Sequence, residues 1–216
     1  MSLPGPGLPR GDVHVWCARV DRWSGRDDEL SAEEMARASR FRYERVRRQF
    51  VAARVLVRRV LARYLEVVPE ELVLDADEDG RPLIIWPGDA AWLSFSISHS
   101  GDFAVVAVAR EQHVGVDVEE IRSDLDVVAV ARRALGEAEA DELARAPQGL
   151  RTQTFFELWT REEARGKCRG TGLIEPDDER RRGALAVADF PVGDGYAAAV
   201  AATERLANIR CCVIGV

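Results

Sequence analysis

Residues 94–121 read SFSISHSGDFAVVAVAREQHVGVDVEEI, and this stretch decides the architecture. Trp92 to Ser98 and Phe103 to Ala109 read as strands joined at Ser100-Gly101-Asp102, and Val114 to Val118 as a further buried strand. Residues i and i+2 of a strand point to one face, so Asp117 and Glu119 share theirs. A second segment, FFELWTREEARGK at 155–167, has a helical pattern and sets Glu163 and Lys167 four apart on one face. Two carboxylates on a strand and one on a helix suit a hard cation. Mg²⁺ takes a few carboxylate oxygens and completes its shell with water and phosphate. The same residues also fit a solvated acidic strand face and a surface i,i+4 ion pair, worth about 0.3–0.5 kcal/mol.

Outward from this stretch, Val13 to Val20 alternates apolar and polar residues as a strand does. Ser31 to Arg40 reads as a helix with Ser31 as N-cap and Glu34 completing a capping box. A longer helix covers Glu44 to Leu65, with an apolar stripe through Phe50, Val51, Val55, Val57, Leu61 and Leu65. Glu70 to Asp75 suits a short strand before a turn at Asp79-Gly80. Helices are predicted over Asp126–Ala134, Glu137–Ala144 and Arg151–Arg169, and closing strands over Leu185–Phe190, Tyr196–Ala202 and Ile209–Ile214. Gly101-Asp102-Phe103 and its small-residue strand are echoed by Gly193-Asp194-Gly195-Tyr196 and another, about 90 residues later. The echo hints at two similar halves, each with a long helix and an antiparallel sheet.

At 216 residues with 47% hydrophobic content, the chain suits one large domain or two small ones. A net charge of −7 argues against a general nucleic-acid or anionic-membrane binder. Cys17, Cys168, Cys211 and Cys212 show neither metal-ligand spacing nor a disulfide framework, which sets the expectation of a reduced, cytoplasmic context. The Pro/Gly-rich residues 1–11 lack the apolar stretch of a secretory signal. No apolar run approaches the roughly 18–20 residues of a membrane span.

Four motifs stand in order: Gly80-Arg81-Pro82, Phe95 to Ser100, Gly115 to Glu119, and Trp159 to Lys167, the last followed by Gly170-Thr171-Gly172-Leu173. In these the chain resembles the 4′-phosphopantetheinyl transferases, in particular their long, monomeric, surfactin-type group, from about Arg40 to Phe190. That family moves phosphopantetheine from coenzyme A onto a carrier-protein serine. The resemblance implies an α/β (α+β) fold of two pseudo-symmetric halves, 1–121 and 122–216, each an antiparallel sheet packed with a long helix, with the active site at their interface. It implies Asp117, Glu119 and Glu163 as Mg²⁺ ligands, Glu163 also as general base, and Lys167 beside the leaving phosphate. Ser98 and His99 take the place of residues that contact the coenzyme's phosphates, and Arg81 that of a cation in the turn motif. Read alone, a histidine after an apolar strand is more often a satisfied core residue than a functional one, and Ser96, Ser98 and Ser100 supply polar partners here.

The segment from Arg37 to Arg63 is dense in arginine. It fits a solvated helix face; by resemblance, Arg40 and Arg48 are candidates for the coenzyme's 3′-phosphate, and Arg54 for a structural or phosphate contact. The expected partners are coenzyme A and acyl or peptidyl carrier domains, with no nucleic acid and no membrane. Arg132 and Arg133 are candidates to face an acidic carrier helix. Glu162 stands where the family often has lysine, Arg165-Gly166 replaces an aromatic-apolar pair, and Ser96 replaces asparagine. None of these removes an implied metal ligand. A relative that binds coenzyme A or a carrier without transfer is the alternative.

Overall fold

The computed structural model describes residues 7–23, 27–78, 81–170 and 185–214. The expected turn at Asp79-Gly80, residues 1–6 of the Pro/Gly-rich start and the Thr171-Gly172-Leu173 exit lie outside the described residues. In chain order the elements are β1 (Asp12–Arg19), α1 (Ala32–Ala38), α2 (Glu44–Leu65), β2 (Val73–Ala76), β3 (Pro82–Trp86), β4 (Leu93–Ser100) and β5 (Phe103–Arg110). There follow β6 (Val114–Glu120), α3 (Val127–Ala134), α4 (Glu137–Arg145), α5 (Gln148–Arg169), β7 (Ala186–Asp189), β8 (Tyr196–Ala202) and β9 (Asn208–Ile214).

β1 and β5 are buried on both faces: β5 is a continuous apolar run, and in β1 the polar alternates Asp12 and His14 are buried with their neighbours. They form the middle of a four-stranded sheet ordered β4-β5-β1-β9. One face, through Trp16, Ala104, Val106 and Val108, packs on Leu56, Val57, Val60 and Leu61 of α2. The other, through Val13, Val15, Val105 and Ala107, packs on Val116, Val118 and Val200 of a second sheet, ordered β6-β8-β7. The far face of that sheet carries α5, where Ala164 and Cys168 meet Ala199 and Ala201. The layers therefore run α2, first sheet, second sheet, α5.

The α+β class is the one expected, with one correction. The second sheet is wholly antiparallel, but in the first β9 runs parallel to β1. The ties lie at the strand starts: Ala207 N–H donates to Gly11 O at 2.7 Å, and Asn208 Nδ2 to Asp12 Oδ1 at 2.9 Å. They place the beginning of β9 beside the beginning of β1, which fixes the direction. Sheet membership cuts the chain differently from a division at 121/122, because β6 ladders with β8 while β9 returns to the first sheet. β3 has no counterpart among the predicted strands. Its apolar run shows no alternation and, among the described residues, pairs only with β2, in a separate two-stranded sheet.

The echoed segments meet. Asp102 N–H donates to the Tyr196 hydroxyl at 2.9 Å, and the Phe103 and Tyr196 rings contact edge to face at 4.8 Å. Gly101 turns at φ 54° beneath them, and a Cβ there would strike Tyr196 and Glu120, so glycine is required on both counts.

Candidate active site between two sheet edges

β4 is the edge of the first sheet and β6 the edge of the second. They lie side by side without a backbone ladder between them, which would leave edge N–H groups unpaired. The alternating serines of β4 supply the missing partners. Ser96 Oγ accepts from Val116 N at 3.1 Å, and Ser100 Oγ accepts from Glu120 N at 3.1 Å. Ser98 Oγ donates to Asp117 Oδ1, and Ser100 Oγ to Glu119 Oε2, each at 2.7 Å. The two bonds to backbone amides contribute about 1 kcal/mol net each and the two to carboxylates about 1.5–3, against about 1.5–3 kcal/mol for every one of the many fully buried valines between the sheets. The apolar layer therefore holds the sheets together, and the serines set how the two edges register.

From the other side α5 brings Glu163 and Lys167. Lys167 Nζ lies 2.6 Å from Asp117 Oδ1. The lysine thus reaches across to the strand carboxylate, where a surface reading of the helix alone pairs it with Glu163. Asp117 is 3% exposed, and its Oδ2 is buried without a hydrogen-bond partner among the described residues.

These groups open on one cavity of about 430 Å³. Asp117, Glu119 and Glu163 line it together with Lys167, Ser98 and His99, while Arg37, Arg54, Phe50 and Trp159 complete the wall. Burial pushes the Glu119 carboxyl above its ordinary range, and Asp117 adds to this against the Ser100 hydrogen bond and Lys167. Glu163 is raised by burial, then by Asp117, with Glu119 adding a little and Lys167 opposing. His99 is lowered by desolvation and by Lys167, so it is neutral near pH 7.

Crowded carboxylates, one with an orphaned buried oxygen, have the donor chemistry of a hard-cation site. As it stands the cluster is not closed. Among the described residues, no group of three or more His, Cys, Asp or Glu side chains is gathered so as to hold a metal ion. Opposite the carboxylates, the cationic and apolar wall suits a polyanion attached to a less polar group.

The other candidates lie elsewhere. Arg81 donates through Nη2 to the Cys168 carbonyl at 2.9 Å, near the end of α5, and lies 3.1 Å from His113 Nδ1. It lines a separate cavity of about 340 Å³ with Pro82 and His113. Arg40 lines a third, of about 540 Å³, with Arg37 and Phe41. Arg48 is exposed on α2, 3.8 Å from Glu44. Arg132 is held by Glu137 at 2.8 Å on the surface. The cavity's own arginines are Arg54, tied to Glu34 at 2.5 Å, and Arg37, stacked 5.3 Å over the Phe50 ring. Arg37 was not singled out as a phosphate candidate. The available signal was its place in the last turn of a capped helix, facing the first turns of α2.

Comparison with known proteins gives a consistent result. A family model described as 4′-phosphopantetheinyl transferase, N-terminal, matches residues 14–111, and one described as the 4′-phosphopantetheinyl transferase superfamily matches residues 113–201. The chain is similar to 4′-phosphopantetheinyl transferase HetI of Nostoc sp., with 31% identity over 179 residues, covering 81% of this chain and 76% of that protein. It is 31% identical over 144 residues to 4′-phosphopantetheinyl transferase psf-1 of Bacillus pumilus, covering 67% and 59%. With 4′-phosphopantetheinyl transferase Sfp of Bacillus subtilis it shares 28% over 149 residues, covering 69% and 64%.

Proposed function

The chain belongs to the 4′-phosphopantetheinyl transferase superfamily, and we propose that the cavity between β4, β6 and α5 is where it moves phosphopantetheine from coenzyme A to a carrier-protein serine. One observation carries this reading: Asp117, Glu119, Glu163 and Lys167, from two elements about 45 residues apart, line a single cavity. The reaction is attack by the serine hydroxyl on the β-phosphate, releasing adenosine 3′,5′-bisphosphate.

Mg²⁺, held by Asp117, Glu119 and Glu163, would supply neutralisation of the pyrophosphate charge. Glu163 takes the serine proton; burial and then Asp117 raise its carboxyl in the metal-free protein, a cation held beside it would lower it again, and closeness to the serine hydroxyl offsets the weaker basicity. Lys167 stands one turn on, where it can balance charge on the leaving phosphate. His99 faces the cavity as a donor to phosphate oxygens, with Arg37 as a cation beside it, and Ser98 joins them by turning its hydroxyl proton away from Asp117. Arg40 extends this basic side into the adjoining cavity that it shares with Arg37. The reading extends to a cytoplasmic monomer acting on acyl or peptidyl carrier domains; the net charge of −7 supports its working away from nucleic acid and anionic membrane, and the four cysteines without a disulfide framework suit a reduced compartment.

The test is intact mass spectrometry of a carrier protein incubated with this protein, coenzyme A and Mg²⁺. The expected result is a gain of one phosphopantetheine mass, abolished by chelator, with Glu163→Gln lowering kcat by about 10²–10⁴-fold. No gain across several carriers while coenzyme A still binds would establish the non-catalytic alternative.

A further inference from the structure

Ser100 does not line the cavity, yet it is bonded to one of its carboxylates. Its hydroxyl has one proton and two lone pairs. The Glu120 N–H can only donate, so the serine accepts from it at 3.1 Å and spends its own proton on Glu119 Oε2 at 2.7 Å. Ser96 provides a natural contrast. It ties β4 to β6 in the same way, through Val116 N, without a bond to any of the three carboxylates. No backbone ladder joins these strands, and while the serines together set their register, the bond to the Glu119 carboxylate itself comes from Ser100.

We propose that Ser100 is a positioning residue for the divalent-cation site, holding Glu119 from behind in the orientation that faces Asp117 and Glu163. The inference rests on the reading of this cavity as a cation site, and the experiment separates the two. Mn²⁺ is titrated into the full-length protein, without coenzyme A or carrier, and free Mn²⁺ is followed by electron paramagnetic resonance. The expected result is uptake by the wild type and an affinity about 10–100-fold weaker for Ser100→Ala. Ser96→Ala binds as the wild type, and Ser100→Thr, which keeps the hydroxyl, does also. With Mg²⁺ in turnover, the half-saturating metal concentration rises for Ser100→Ala while the KM for coenzyme A stays in place.

Wild-type Mn²⁺ affinity in Ser100→Ala overturns the inference alone. Equal weakening by Ser96→Ala overturns it too, since the hydroxyls would then act only as ties between sheets. A threonine variant as weak as the alanine variant counts against it in the same way. No uptake by the wild type, with or without coenzyme A, overturns the cation reading and the inference together. Should Ser100→Ala not fold by circular dichroism, Ser100→Cys, which keeps the volume and only a weak donor, is read by the same outcomes.

Discussion

His14 occupies β1 with no exposed surface, and its Nδ1 lies 2.6 Å from the Tyr64 hydroxyl. That hydroxyl also accepts from Trp16 Nε1 at 3.1 Å, and Nε2 of the histidine has no hydrogen-bond partner among the described residues. Burial lowers the imidazole below its usual 6.5, Arg210 lowers it further, and Asp12 partly opposes. The unfolded chain therefore takes up a proton that the folded chain refuses. The stabilisation is complete above pH 6.5 and is lost as pH falls from there through the folded value, at a slope of at most about 1.4 kcal/mol per pH unit. His99 and His113, also lowered, add in the same direction. Glu119 and Glu163, raised, act oppositely at more acid pH. The difference between wild type and His14→Gln isolates the one group. Urea midpoints at pH 7.5, 6.5 and 5.5 should converge as pH falls; parallel curves would show that His14 is not the buried neutral group described.

Among the elements, α2 shows what a helical pattern reveals and what it hides. The helix runs over the span its apolar period predicts, and the capping box of α1 is present with both of its bonds. The arginine run fits a solvated face, yet Arg58 is 1% exposed. The clue is its spacing with Val51, Val55 and Ala62, which puts it on the buried stripe. Its Nε donates to Glu34 Oε2 at 2.7 Å, and its Nη1 to the Pro69 and Leu72 carbonyls at 2.8 and 2.9 Å. Burial alone would raise the Glu34 carboxyl, but Arg54, the Ser31 amide and Arg58 outweigh it, and the net shift is downward. Arg58→Ala would leave Glu34 with Arg54 and the Ser31 amide but would strip the Pro69 and Leu72 carbonyls of a buried donor, so a loss of about 1–3 kcal/mol is expected in chemical denaturation. Exposed Arg48→Ala should stay within about 0.5 kcal/mol, and equal losses in the two variants would refute the assignment. The shared faces of Asp117 with Glu119 and of Glu163 with Lys167 were legible because periods 2 and 3.6 are local properties. Which arginines reach the cavity, and that β9 crosses to β1, were not, because long-range pairing leaves no local trace.

At the scale of the whole molecule, the site depends on how closely α5 approaches β6, and one residue governs that distance. A Cβ on Gly115 would fall inside the Ala164 carbonyl oxygen and the Cys168 amide nitrogen, and 3.0 Å from Cys168 Cα. These are backbone atoms, so no change of rotamer makes room and the helix itself must move. Ala164 and Cys168 bracket Lys167, and Ala164 follows Glu163, so the displacement passes directly to the groups facing Asp117. Overpacking of this kind costs about 1–3 kcal/mol, which a chain with two broad apolar layers can survive. A misplacement of about 1 Å at the reacting groups costs about 10²-fold in rate. Gly115→Ala is therefore expected to fold with a lowered denaturation midpoint and to lose about 100-fold in kcat, a catalytic defect larger than its instability explains. Gly149→Ala, at the start of the same helix where a Cβ meets nothing within 4 Å, should keep full activity. Stability and initial rates measured on the two variants decide the matter. A Gly115→Ala protein with wild-type kcat would mean that the interval between α5 and β6 can widen without disturbing the chemistry, and that the carboxylates and the lysine are held by their own bonds rather than by the packing of α5 on β6.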